Sequence, residues 1–217
     1  MILGSSLAFI DGTVVNVALP FLQEDLDASA TGVQWVVQAY SLLLAALILV
    51  GGSLGDRLGR RKMYLAGVIV FTLASIAAGA APNLEALIAA RALQGIGGAL
   101  LIPGSLAIIS ALWTGDARGI AIGTWAGFTS ITSSVGPPLG GFLVEQLSWR
   151  AVFLINVPIA IVVVIVCIAT VPENRDPDAT GQIDWPGAAL VTIALGAAVL
   201  GFTEAAASGW TDAMTML

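Results

Sequence analysis

Two charged side chains stand inside long apolar runs. Asp11 interrupts MILGSSLAFIDGTVVNVALPFL (1–22), and Arg91 opens RALQGIGGALLIPG (91–104). An ionised group at membrane depth costs about 2.5–3.5 kcal/mol on insertion scales, so it persists where it faces a cavity or a partner of opposite charge. The chemistry such a pair could do is proton handling. A nearby cation favours the charged carboxylate, a low-dielectric surrounding favours the neutral acid, and a group balanced between them can load and release a proton. Asn16 and Gln94 add uncharged polar groups to the same two runs and are candidates for a polar cavity. Polar residues on a spanning helix usually face the bundle interior, and Asn16 is expected to do so. Two plainer readings stay open: Asp11 in a loop before a lower-lying span, and Arg91 snorkelling to an interface.

The composition says what must position these residues. Of 217 residues, 58% are hydrophobic and only 10% are charged, against about 25% in soluble domains. A mean hydropathy of +0.96 over this length indicates a polytopic membrane protein. There is no His, which excludes a His-ligated metal site and any Ser-His-Asp or Cys-His triad. No nucleophile–base pair or metal cluster is evident, so an enzyme is not expected. The single Cys, Cys167, cannot form an internal disulfide. A net charge of −6 and a pI near 4.3 argue against nucleic acid as a partner. The N-terminus lacks a basic leader and a cleavage site, so it reads as a first span.

Charge-free intervals place seven spans near 2–22, 33–54, 63–82, 85–108, 119–143, 151–171 and 186–204. Runs such as VFLINVPIAIVVVIVCIATV (152–171) do not alternate, so they are not barrel strands. Arg57, Arg60, Arg61, Lys62, Arg118 and Arg175 fall on one side of the membrane and Arg150 on the other. That bias predicts a cytoplasmic N-terminus in a multi-pass cell-membrane protein. At 1.5 Å per residue, Asp11 lies roughly 16 Å below the outer end of span one and Arg91 roughly 10 Å below that of span four. A direct or water-bridged pair is within reach.

The expected organisation is a six-helix bundle over 1–171, a cytoplasmic linker over 172–184, and a seventh span opening an outer segment over 185–217. Asp184 and Glu204 bracket that span as interfacial residues. GWTDAMTML (209–217) opens a segment without completing it, so the chain reads as part of a longer protein.

Three Gly-rich segments add mechanical possibilities. GGSLGDRLGRRK (51–62) reads as a tight turn, with Gly55 and Gly59 permitting it and Asp56, Arg57 and Arg60 capping helix ends or pairing. Gly119, Gly123 and Gly127 form a small stripe that permits close helix contact. SSVGPPLGGFL (133–143) combines Gly136, Pro137, Pro138, Gly140 and Gly141, which points to a bent, tightly packed helix. GIGG (95–98) follows no strand and is not a dinucleotide loop.

Together, DGTVVNVALP, GSLGDRLGRRK, RALQGIGGALLIPG, VGPPLGGFL and SWRAVFLINVPIA resemble motifs of the major facilitator superfamily, closest to its fourteen-span drug:proton antiporters of the EmrB/QacA type. The resemblance implies an all-α membrane fold: an N-terminal six-helix bundle built as a 3+3 inverted repeat, plus one further transmembrane helix. It implies proton-coupled efflux of drugs or other small lipophilic molecules, with no cofactor beyond the proton gradient. Partners would be the lipid bilayer, a small-molecule substrate, lipophilic or cationic, and a C-terminal bundle missing from this chain. By resemblance Asp11 and Arg91 would couple protons. Gly52, Gly55, Asp56, Arg57, Gly59, Arg60 and Arg61 would form the cytoplasmic gate loop, and Gly136, Pro137, Gly140 and Gly141 the antiporter hinge. Alternatives are a carrier for one metabolite or nutrient, and a half-transporter fragment that does not itself transport.

Overall fold

A computed structural model describes residues 1–175 and 184–208. The order is α1 (Ile2–Asp25), α2 (Ala30–Leu58), α3 (Arg60–Gly79), α4 (Leu84–Leu112), α5 (Gly115–Gln146), α6 (Ala151–Leu154), α7 (Asn156–Thr170) and α8 (Trp185–Ser208). Every described element is a helix. Six of the helical stretches, with α6 and α7 taken together, are long and apolar enough to cross a membrane. The other, α5, is the longest at 32 residues but is diluted by Gly, Ser and Thr. Most of the linker expected at 172–184, and the segment after Ser208, lie outside the described residues.

Local chemistry sets the helix ends. Ser29 accepts the Gly32 N–H at 3.1 Å and Asn83 accepts the Ala86 N–H at 2.9 Å, so each caps an N-terminus that would otherwise have unsatisfied donors. The turn expected over 51–62 is a single residue. Helix α2 runs to Leu58 and α3 starts at Arg60, with Gly59 between them at φ +118°. Within that segment only Gly59 needs the positive φ that glycine tolerates; Gly55 is an ordinary helical residue inside α2. The sixth span is interrupted at Ile155. Pro158 has no N–H to offer the Leu154 carbonyl, and that lost bond accounts for the break.

Consecutive spans run antiparallel, yet two of the largest contacts join spans that run in the same direction. The main contacts pair α4 with α2 and with α3, and α1 with α5. The α1·α5 and α2·α4 pairings exchange when the first three spans are swapped with the second three, as an inverted repeat requires. On α4 the GIGG segment serves both neighbours: a Cβ at Gly95 would strike α2 at Tyr40, and one at Gly97 would strike α3 at Phe71. These glycines therefore bring three helices together.

Two buried apolar clusters fill the bundle. One, around Leu22, Val36, Leu87 and Phe153, lies toward the end where α1 finishes at Asp25. The other, around Leu7, Tyr64, Phe71 and Leu101, lies toward the end marked by Gly59. Leu73, Ile161, Ile165 and Ile168 of α3 and α7 point outward. Such apolar exposure suits lipid rather than water.

Candidate functional site

Between the two apolar clusters sits a closed polar network. Asp11 of α1 is fully buried and Arg91 of α4 is 1% exposed, so Arg91 does not snorkel and Asp11 is not in a loop. Arg91 Nη1 donates to Asp11 Oδ2, forming a direct ion pair. Arg91 Nη1 also donates to Gln94 Oε1 at 2.8 Å, and its Nε donates to the Val36 carbonyl of α2 at 3.0 Å. The guanidinium lies over the Tyr40 ring at 4.4 Å, with Phe153 at 5.8 Å. Arg91 and Gln94 meet because residues three apart share a helix face.

Asp11 Oδ1 accepts two more donors, Gln94 Nε2 at 3.1 Å and Asn156 Nδ2 at 3.0 Å. Both amides also donate to Ser75 Oγ of α3, at 2.7 and 3.2 Å. Ser75 Oγ donates its own O–H to the Phe71 carbonyl at 2.9 Å. The network thus joins α1, α2, α3, α4 and α7 around one carboxylate. Removing one member of a buried pair costs about 3–5 kcal/mol because the other charge is left uncompensated.

The sequence-based candidates separate here. Gln94 belongs to the network but is fully buried and lines no open cavity. Asn16 is on the exposed face of α1 and bonds only to the Gly12 carbonyl, at 2.9 Å. Five residues turn the helix roughly 140° beyond a full turn, which carries Asn16 away from Asp11. Ser75, Asn156 and Tyr40 were not anticipated. Asn156 lies in the LINVP segment, where an amide inside an apolar run is a signal of the same kind as Asn16.

The sequence matches the family model described as Major Facilitator Superfamily over residues 1–216. The chain belongs to the major facilitator superfamily. Among its relatives, it is 40% identical over 216 residues to the multidrug resistance protein Stp of Mycobacterium tuberculosis, covering 99% of this chain and 40% of that protein. It is 46% identical over 173 residues to the multidrug efflux pump LfrA of Mycolicibacterium smegmatis, covering 79% of this chain and 34% of that one. The chain therefore spans about 40% of the length of curated relatives it matches. Its fold is similar to a crystal structure of the peptide transporter POT, with TM-score 0.73 and 16% identity over 99% of this chain and 47% of that one.

In this major facilitator chain, the remaining motif residues gather at the Gly59 end and along α5. Asp56 and Arg60 pair at 2.8 Å, four residues apart; Asp56 does not cap a neighbouring helix. Arg61 donates its backbone N–H to Glu173 Oε1 at 3.1 Å and its Nη1 to the Val171 carbonyl at 2.8 Å. Arg60 donates its N–H to the Asn174 carbonyl at 2.8 Å. Glu173, expected only as linker, thus closes the start of α3 from the end of span six. Arg57 is half-buried, and Gly52 lies beside Pro103 of α4 at 3.7 Å from a would-be Cβ. Arg118 caps the end of α4 through the Ser110 and Trp113 carbonyls, at 2.6 and 3.1 Å.

Helix α5 is continuous through Pro137 and Pro138. Gly136 faces Thr13 and Gly140 faces Val14 on α1. Gly141 meets nothing within 4 Å, and the same holds for Gly119, Gly123 and Gly127. Among the described residues the expected close contact along that stripe is not made. Trp125 and Thr129 lie on the α1-facing side, and the stripe residues are two positions away, roughly 200° around the helix. Near the Gly59 end, Trp125 Nε1 donates to Ser5 Oγ at 2.9 Å and Ser5 donates to Ser105 Oγ at 2.7 Å, tying α5, α1 and α4. At the opposite end Asp25 accepts Trp149 Nε1 and Arg150 Nη1, each at 2.9 Å. Asp184 accepts the Gly187 N–H at 2.9 Å and so caps α8.

Proposed function

We propose that the chain supplies the first six-helix bundle, and one further span, of a proton-coupled antiporter exporting lipophilic or cationic small molecules by alternating access. The observation that carries this reading is the Asp11–Arg91 pair, buried in the middle of the bundle and tied to five helices. Protonating Asp11 removes the charge that Arg91 opposes. Deprotonation restores it. Either change alters which packing of the helices is favoured, and a substrate that binds one packing better is thereby exchanged against the proton.

Similarity to Stp, a multidrug resistance protein, and to LfrA, a multidrug efflux pump, supports export of several drugs over transport of one nutrient. Orientation follows from charge. Arg57, Arg60, Arg61, Lys62, Arg118 and Arg175 all belong to the Gly59 end, which we place in the cytoplasm, together with the N-terminus, of a cell membrane. The driving force is the proton gradient, with no cofactor. A second bundle completes the substrate path. The exposed Ile120, Ile131 and Val135 of α5 supply an apolar face for it to pack on.

The test is ethidium-driven proton movement in inverted vesicles from cells expressing the complete open reading frame. Asp11→Asn and Arg91→Ala should each reduce exchange at least tenfold with the protein still in the membrane. Unimpaired exchange in both variants sinks the coupling scheme.

A further inference from the structure

We infer that Asn156 is a positioning residue for the proton site, an amide rotor that serves Asp11 in both its charged and its neutral state. This rests on the proton-coupling reading above. The starting observation is an orphan. Asn156 is fully buried, its Nδ2 donates to Asp11 Oδ1 at 3.0 Å and to Ser75 Oγ at 3.2 Å, and its Oδ1 has no hydrogen-bond partner. A buried carbonyl without a donor is costly and uncommon. The amide orientation is dictated by the ionised carboxylate, which can only accept.

The other acceptors around the site are committed. Gln94 Oε1 accepts an N–H from Arg91, and so does the Val36 carbonyl. Ser75 Oγ already receives both amides. A proton arriving on Asp11 Oδ1 gives that atom an O–H to donate and less capacity to accept, so it no longer suits both N–H groups now aimed at it. Half a turn of the Asn156 amide exchanges its two polar atoms. Oδ1 then occupies the position of Nδ2, 3.0 Å from Asp11 Oδ1, and accepts the new O–H. The proton comes from water and returns to it; the amide neither gains nor loses one.

The position of Asn156 in the chain suits this task. It is the first residue of α7, directly after the break at Ile155. Among the described residues, the groups that face Asp11 are Tyr40 from α2, Ser75 from α3, Arg91 and Gln94 from α4, and Asn156 from α7. Helix α5 presents Gly136 and Gly140 to α1. Arg91 is the one cation among them; Asn156 Oδ1 has no partner at all, whereas the Tyr40 hydroxyl is already engaged as a donor to the Ala8 carbonyl.

Removing the amide takes a donor from the carboxylate and an acceptor from the acid. A hydrogen bond to a charged group is worth about twice one between neutral groups, so the carboxylate loses more. Asn156→Leu should therefore move the midpoint of ethidium-driven proton exchange to higher pH by roughly one unit, a tenfold change in proton affinity. A residue that only packs α7 would change the amount of folded protein and leave the midpoint in place. Asn156→Gln, which keeps both groups of the amide, should bring the midpoint back toward that of the unaltered protein.

The experiment uses the complete open reading frame in inverted vesicles, with ethidium as probe. If Asp11→Asn leaves exchange intact, the coupling reading has failed. If Asp11→Asn abolishes exchange while Asn156→Leu shows an unshifted midpoint, the coupling reading stands and the rotor is overturned. Should Asn156→Leu not fold, infrared difference spectra between low and high pH decide the matter in otherwise unaltered protein carrying side-chain-labelled asparagine. A labelled amide carbonyl band that shifts with pH, and no longer shifts in Asp11→Ala, supports the rotor. Absence of that shift overturns it.

Discussion

The central guanidinium carbon of Arg91 stands 4.4 Å from the centre of the Tyr40 ring, while the same group bonds Asp11. The cation is thus held by a carboxylate, by an aromatic face and by the Val36 carbonyl. When Asp11 is neutral, the ring and the carbonyl remain.

Tyr40 should therefore matter through its ring more than its hydroxyl. A desolvated cation–π contact is worth about 2 kcal/mol, whereas the hydroxyl bond to the Ala8 carbonyl is long at 3.4 Å. In detergent unfolding, Tyr40→Leu should cost about 2 kcal/mol more than Tyr40→Phe, packing loss included. Equal losses for the two variants would show that the ring contributes nothing specific to holding Arg91.

Gly136 should be intolerant of even one methyl group. A Cβ there would overlap the Thr13 side chain, and such overpacking costs about 1–3 kcal/mol. Gly136→Ala should lower unfolding stability by that amount, and less when Thr13→Ala is present. Gly127→Ala, in open space, should be neutral or stabilising by up to about 1 kcal/mol through helix propensity. The contact is refuted as a packing constraint if both alanines behave alike.

Glu173 should stabilise the start of α3. Its Oε1 accepts the Arg61 N–H at 3.1 Å, the role of an N-terminal cap. Glu173→Ala should cost about 1 kcal/mol and Glu173→Gln less. Gly59→Ala should cost more than Glu173→Ala. Its Cβ would sit 2.6 Å from Glu173 Oε1, and φ +118° adds backbone strain of about 1–2 kcal/mol. On the Glu173→Ala background, adding Gly59→Ala should cost only the backbone part. Denaturant midpoints of the four variants provide the check; additive losses would contradict the contact.

Much of this architecture was legible along the chain because the membrane imposes one-dimensional rules. A span must be apolar over a fixed length, and basic residues segregate to one side. Charge-free intervals therefore located the helices, and a charge within one, Asp11 or Arg91, marked the site. The turn between the second and third spans was legible as a Gly-rich run, with Gly55 and Gly59 both offered for it; the structure assigns it to Gly59 alone.

What only the tertiary structure decided is which polar residues meet. Ser75 and Asn156 are 81 positions apart and chemically ordinary; no local rule singles them out from Asn16, which sits on the far side of α1 from Asp11. Nor does a stripe of glycines say which face it belongs to, so Gly119, Gly123 and Gly127 were expected in a contact that Gly136 and Gly140 make instead. Membrane insertion depends on composition summed along a segment, which sequence contains directly. Contact depends on the rotation of each helix about its axis, and that is set by all its neighbours at once.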